Sequence, residues 1–142
     1  MILISACLCG CNCKYNGKNN LNEKCLKILK EKRGIPVCPE QLGGLKTPRV
    51  PSEIKEEKVI NKDLEDVTKN FVNGAKEALK LAKLVDCKIA ILKDGSPSCG
   101  SDYIYDGSFT GKKIKGKGIT ANLLEENGIK VISENELDVN FV

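Results

Sequence analysis

The stretch Met1–Gly17, MILISACLCGCNCKYNG, decides how this chain is read. It opens with Ile2-Leu3-Ile4, a run too short for a helix and apolar on both faces, as a buried parallel strand is. The run stops at the small residues Ser5-Ala6 and delivers Cys7, with Cys9, Cys11 and Cys13 at alternate positions beyond it. Open α/β sheets place their ligands beyond the carboxyl ends of their strands. A thiol at Cys7 therefore stands where chemistry is done.

Two other cysteines repeat that placement. Ile35-Pro36-Val37 is a second short apolar run and ends in Cys38-Pro39-Glu40. Cys87–Leu92 reads as a central strand and leads into Lys93-Asp94-Gly95-Ser96-Pro97-Ser98-Cys99-Gly100. Cys25 lies on the apolar face of a helix marked by Leu21, Ile28 and Leu29, with Asn20 as its N-cap and Gly34 as its stop. Cys87 sits at the start of its strand, the wrong edge for a site. Both are read as small buried hydrophobes.

The remaining segments set the fold class. Gln41–Pro51 holds Gly43, Gly44, Pro48 and Pro51 and reads as a long irregular loop. Leu64–Leu84 is amphipathic at helical spacing, with Asp63 or Asp66 to cap it. Tyr103–Gly107 suggests a short extended piece and a turn, and a glycine–lysine stretch precedes a helix over Ile119–Glu126. Gly128 is the C′ residue of that helix, and Ile129–Ser133 is a last strand. This alternation is that of an α/β protein. We expect one domain over residues 1–142, with a mostly parallel sheet of about four strands and helices on both faces, in three Rossmann-like layers. Right-handed crossovers then bring Cys7, Cys38 and Cys99 to one edge of the sheet.

Composition narrows the chemistry. The 142 residues are 41% hydrophobic, enough for one core, and no apolar stretch approaches transmembrane length. The N-terminus has neither the basic nor the apolar region of a signal peptide, so a cytoplasmic protein away from membranes is expected. The net charge of +4 is spread among glutamates, and the Lys112–Lys117 stretch lacks exposed aromatics, so no stable nucleic-acid binding is expected. Eight cysteines in a reducing compartment point to metal binding or catalysis rather than disulfides. The absence of histidine removes Cys/His zinc sites and histidine catalysis together, leaving iron–sulfur or Cys-only zinc ligation. A catalytic metal site keeps one position open. Three thiolates would suit a [4Fe–4S] cluster whose fourth iron has no protein ligand. Cys9, Cys11 and Cys13 stay open between a fourth ligand, a sulfur-carrying thiol and an idiosyncrasy of this chain.

Without histidine, acid–base work falls to carboxylates, hydroxyls or lysine. Glu40 follows a candidate ligand by two residues and is the first choice for activating water. Ser96 and Ser98 flank the Cys99 loop and either orient substrate or simply form the turn. Arg49 either anchors an anionic substrate, pairs with Glu53 or is a solvated loop residue. Lys117 and Thr120, at a glycine-flanked helix start, could dock a polar substrate.

Several motifs, taken together and in order, are recognisable. Ser5-Ala6-Cys7-Leu8, Cys38-Pro39-Glu40 with Gly43-Gly44-Leu45 and Pro48-Arg49, Asp66-Val67-Thr68, Gly74-Ala75, Ser96-Pro97-Ser98-Cys99-Gly100, Ile104-Tyr105-Asp106-Gly107 and Gly116–Ala121 make the chain resemble the thiouracil desulfidase family over nearly its whole length. The resemblance implies a [4Fe–4S] cluster on Cys7, Cys38 and Cys99. It also implies a thiolated pyrimidine substrate and replacement of C–S by C–O with release of sulfide. Where that family usually has Arg-Tyr-Asp-Gly, this chain has Lys14-Tyr15-Asn16-Gly17, and Cys9 and Cys11 are not part of the family pattern. The alternative is a non-catalytic metal-binding or sulfur-carrier accessory protein.

Overall fold

The computed structural model describes residues 1–137; residues 138–142 of the expected domain lie outside the described residues. In chain order the elements are β1 (Ile2–Ser5), α1 (Glu23–Lys30), β2 (Gly34–Val37), α2 (Pro39–Leu42), β3 (Ser52–Lys55), β4 (Lys58–Asn61), α3 (Thr68–Leu84), β5 (Ile89–Leu92), β6 (Tyr103–Tyr105), β7 (Lys113–Lys115), α4 (Ile119–Glu126) and β8 (Lys130–Ser133). Four strands form the main sheet in the order β2-β1-β5-β8, every pair parallel.

Side chains alternate along these strands, and the alternation sorts the core into two layers. Leu3, Val37, Ala90 and Leu92 pack with Ala82 of α3 and with Ala121 and Leu124 of α4. Ile4, Ile91 and Ile132 pack on the other face with Leu8 and with Cys25 and Ile28 of α1. The result is the expected three-layer α/β/α arrangement, with helices on both faces of a parallel sheet.

Departures from the sequence reading are local. The N-cap of α1 is Asn22, whose Oδ1 accepts from the N–H groups of Lys24 and Cys25 at 3.0 and 3.2 Å. Asn20, the residue expected there, serves the site instead. The helix α3 starts at Thr68 rather than near Leu64, with Asp66 Oδ1 accepting from Thr68 N at 2.9 Å. The segment after Cys38 is not wholly irregular, since Pro39–Leu42 forms one helical turn.

Two small antiparallel hairpins, β3–β4 and β6–β7, complete the fold; β6 is the extended piece expected at Tyr103, while its partner β7 and the whole β3–β4 hairpin carry no signal in the sequence. The β3–β4 turn is Glu56-Glu57, at φ 51° and 66°. Tight hairpin turns with positive φ at both positions are usually signalled by Asn-Gly or Asp-Gly, and a glutamate pair gives no such signal.

The Gly43-Gly44 and Gly74-Ala75 motifs gain a physical reason. A Cβ on Gly74 would sit 1.9 Å from the Pro39 carbonyl oxygen, and one on Gly43 would sit 2.0 Å from that of Asn70. The two backbones touch, and this contact seats α2, with Glu40 on it, against α3. Gly74→Ala should therefore force α2 away at a cost of about 1–3 kcal/mol or more. Thermal unfolding should show a Tm lowered by several degrees; an unchanged Tm would mean the two helices are not held by this contact.

Candidate functional site

The carboxyl ends of β1, β2 and β5 finish side by side, and each is followed by a candidate ligand. Cys7 lies in a 3-10 turn over Ala6–Cys9 that ends at Gly10, φ 93°. Its carbonyl accepts from Asn20 N at 2.9 Å, and the Asn20 side-chain Nδ2 donates to Cys7 Sγ at 3.4 Å. Cys38 immediately precedes the short helix α2. Cys99 is reached only after a loop of six residues, Lys93–Ser98, folds back on itself.

That loop is latched from two sides. Asp94 is 4% exposed, and its Oδ1 accepts from four backbone N–H groups: Gly95, Ser101, Asp102 and Tyr103, at 3.0, 3.1, 3.2 and 3.3 Å. Ser96 Oγ accepts from Ser98 N and Cys99 N, both at 3.0 Å. From the other side, α4 spends its N-terminal donors on the loop. Ile119 N reaches Pro97 O at 2.9 Å, and Thr120 N and Ala121 N reach Ser98 O at 2.8 and 3.2 Å. The buried Ser98 and Thr120 hydroxyls lie 2.7 Å apart. Gly118 permits this approach, because a Cβ there would meet the Ser98 carbonyl at 2.4 Å.

Cys7, Cys38 and Cys99 line one cavity of about 510 Å³ together with Glu40, Arg49, Ser96 and Ser98. Burial pushes the Cys7 thiol up, and the Asn20 amide opposes it. Burial pushes Cys99 up to about 12, with the Ser5 hydroxyl opposing. Cys38 is drawn down to about 7 by a hydrogen bond from Cys13, against the effect of burial. Cys13 is held well above the ordinary thiol range by that same bond. Left to themselves, Cys7 and Cys99 keep their protons; bound iron ions would remove them. Cys7 feels the charge of Cys38, and Cys99 that of both Cys7 and Cys38. Yet among the described residues no three Cys, Asp or Glu side chains close around a point where one ion could be gripped. Three thiols from three strand ends on one cavity are a donor set that suits an iron–sulfur cluster.

Glu40 is fixed by Arg49, whose Nε donates to Glu40 Oε2 at 3.1 Å while Nη2 forms an ion pair with the same oxygen. Nη2 also donates to Cys13 O at 2.9 Å, and Nη1 to Thr47 Oγ1 and Lys46 O at 2.9 and 3.2 Å. A guanidinium has five N–H donors, and these contacts use all of them. Arg49 thus pairs with Glu40 and not with Glu53, and its place is to hold the carboxylate. Lys117 and Thr120 are not in the cavity wall. Lys117 pairs with Glu125 at the surface, and Thr120 is fully buried against Ser98. The extra cysteines separate as well: Cys9 packs in the core, Cys11 is exposed, and Cys13 is committed to Cys38.

Sequence reasoning missed several residues of the wall. Lys93 bridges Glu134 Oε2 at 2.8 Å and Asp94 O at 3.0 Å. Asn20 was assigned to a helix cap, and Asp94 was an unremarked turn residue. Their roles depend on partners 13 and up to nine residues away, respectively, which no periodicity reports.

Comparison with known proteins places these features. A family model described as 2-thiouracil desulfurase matches residues 2–136. The chain is 47% identical to an uncharacterised protein, YbbK, of Bacillus subtilis strain 168, covering 97% of this chain and 98% of that one. Among solved structures it is similar to a [4Fe–4S]-dependent thiouracil desulfidase, TudS, at a TM-score of 0.92 and 42% identity, covering 96% of this chain and 91% of that one.

The Asp94 latch yields an expected outcome. Asp94→Ala leaves several buried N–H groups without an acceptor and should cost about 3 kcal/mol or more. Asp94→Asn keeps an Oδ1 acceptor and should retain most of that. Denaturant unfolding of the two variants separates them; equal loss in both would mean that charge, not acceptance of these hydrogen bonds, holds the loop.

Proposed function

Because the chain belongs to the 2-thiouracil desulfurase family, we propose that it is a [4Fe–4S]-dependent, non-redox desulfidase acting on thiouracil-like pyrimidines, a hydrolase that exchanges C–S for C–O with water. The observation that carries this reading is the meeting of Cys7, Cys38 and Cys99 on one cavity beside a fixed carboxylate, Glu40.

Cys7, Cys38 and Cys99 would hold the cluster. When bound, it supplies an iron without a protein ligand, a Lewis acid that draws the sulfur of the substrate. The chain itself provides the proton handling. Arg49 holds Oε2 of Glu40, and Oε1 has no protein donor among the described residues. That oxygen is our candidate to take a proton from the water that adds to the carbon bearing sulfur. The Ser96 oxygen already accepts two N–H groups. Its own proton remains to be donated to a ring oxygen or nitrogen of the substrate. Ser98 shares its hydroxyl with Thr120 and supports the Cys99 loop. Eight free thiols suit a reducing compartment, and we place the protein in the cytoplasm. Among the described residues no helix is long and apolar enough to cross a membrane.

After anaerobic reconstitution the wild type should be brown, with broad visible absorption and iron and sulfide in equal amounts. Cys7→Ala, Cys38→Ala and Cys99→Ala should each lose it, while Cys25→Ala and Cys87→Ala keep it. A full cluster in Cys99→Ala would overturn the ligand set. Glu40→Gln should retain iron and lose roughly 10²–10⁴ in kcat, the usual contribution of general acid–base catalysis; steady-state sulfide release measures this, and wild-type turnover in that variant would remove Glu40 from the mechanism.

A further inference from the structure

Aromatic residues are scarce in this chain, at 4%, and they are not spread evenly. Tyr15, Tyr103, Tyr105 and Phe109 all line the cavity that holds the three thiols. Three of these rings are already engaged. Tyr103 meets Tyr105 edge to face at 6.1 Å, and the Lys113 ammonium lies 4.6 Å from the Tyr103 centroid. Gly95 closes against the same ring, since a Cβ there would meet it at 2.8 Å. Tyr15 carries Lys14 at 5.8 Å. Among the described residues, Phe109 has no aromatic or cationic partner for its ring.

The backbone of Phe109 is also unusual. It has φ 59°, which for a bulky side chain marks strain that the surroundings must impose. The restraint comes from β3. Glu53 Oε1 accepts from Gly107 N at 2.9 Å and from Phe109 N at 3.1 Å. Gly107 lies directly on β3, where a Cβ would meet Lys55 Cβ at 2.7 Å. Asp106 Oδ1 accepts from Ser108 N at 2.9 Å and closes the turn. Three separate restraints thus fix the backbone that carries Phe109 in the wall of the cavity.

We propose that Phe109, held by Glu53, is the stacking face for the flat ring of the substrate and makes this site select cyclic thiocarbonyl compounds over acyclic ones. The inference rests on the desulfidase reading for the identity of the ring but not for its binding. A phenyl face has no polar handle, so it recognises a planar heterocycle by its π-face and leaves the position of sulfur to the thiol-lined end. Glu53 also borders the cavity, but here it is a positioning residue, acting on Phe109 through the loop N–H groups that it accepts from.

Calorimetric binding of uracil, which has no sulfur to lose, to the reconstituted protein isolates this contact from turnover. Phe109→Leu should weaken uracil roughly tenfold or more, the usual scale for losing one base–aromatic stack, and Phe109→Tyr should bind as the wild type does. Glu53→Ala should raise KM for 2-thiouracil with kcat unchanged, and Glu53→Gln, which can still accept both N–H groups, should restore it. Turnover of thiourea, an acyclic thiocarbonyl, should be the same in Phe109→Leu as in the wild type. Uracil binding in the wild type without desulfidation of thiouracil would leave this proposal standing while the desulfidase reading fell. Unchanged uracil affinity in Phe109→Leu, with visible absorption and thermal unfolding intact, would overturn it. So would an equal loss of thiourea and thiouracil turnover, or no uracil binding by the wild type.

Discussion

The parallel pairing of β1 with both β2 and β5 is the constraint on which the site depends. Ser5 stands opposite Val37 in one ladder, and Ile4 stands opposite Ile91 in the other. Three chain segments distant in sequence must therefore leave the sheet at one edge and in one direction. Cys38 follows its strand at once, and Cys7 follows after a single residue, Ala6. These two need little more than the strand ends to place them. Cys99 is separated from Leu92 by a whole loop, and the sheet alone cannot place it. The Asp94 carboxylate and the first turn of α4 complete what the sheet begins.

That division explains what α4 is for. A helix start flanked by Gly116 and Gly118 looks from the sequence like a place for an anionic ligand. In the fold its donors are consumed by Pro97, Ser98 and Gly100 carbonyls. The same unpaired N–H groups that could bind a ligand instead bind the loop that carries Cys99. Helix dipole, glycine and hydroxyl all serve an internal ligand, the protein backbone, and Lys117 is left to a surface pair with Glu125.

The sequence carried the parts of this structure that depend on local pattern. Apolar runs marked β1, β2, β5 and β8, and period marked α3 and α4, because each buries a face whose spacing is set by its own geometry. Chain alternation then implied the sheet edge where Cys7, Cys38 and Cys99 lie. What stayed hidden depends on partners. The β3–β4 hairpin turns on two glutamates in a conformation that favours other residues. Asn20 looked like a cap because its bond to Cys7 crosses 13 positions. Arg49 stays open between an anionic substrate, Glu53 and solvent in the sequence, because nothing in its neighbourhood says that Glu40, Thr47, Lys46 and Cys13 together exhaust its donors. Phe109 gave no signal at all, since its restraint comes from Glu53, 56 positions earlier.

The charges of the site make one further point. Four cations, Lys14, Arg49, Lys62 and Lys93, line the cavity beside Cys7, Cys38 and Cys99 and the carboxylates Glu40, Glu53 and Asp94. Burial nonetheless pushes the Cys7 and Cys99 thiols up. Bound iron ions would take the protons that burial keeps on Cys7 and Cys99, so loading the site and ionising these two thiols would be one event. Arg49 and Lys93 then have separate tasks. Each stands beside one carboxylate, Glu40 or Glu134, and offsets part of the repulsion that this carboxylate exerts on the thiol next to it, Cys38 or Cys7.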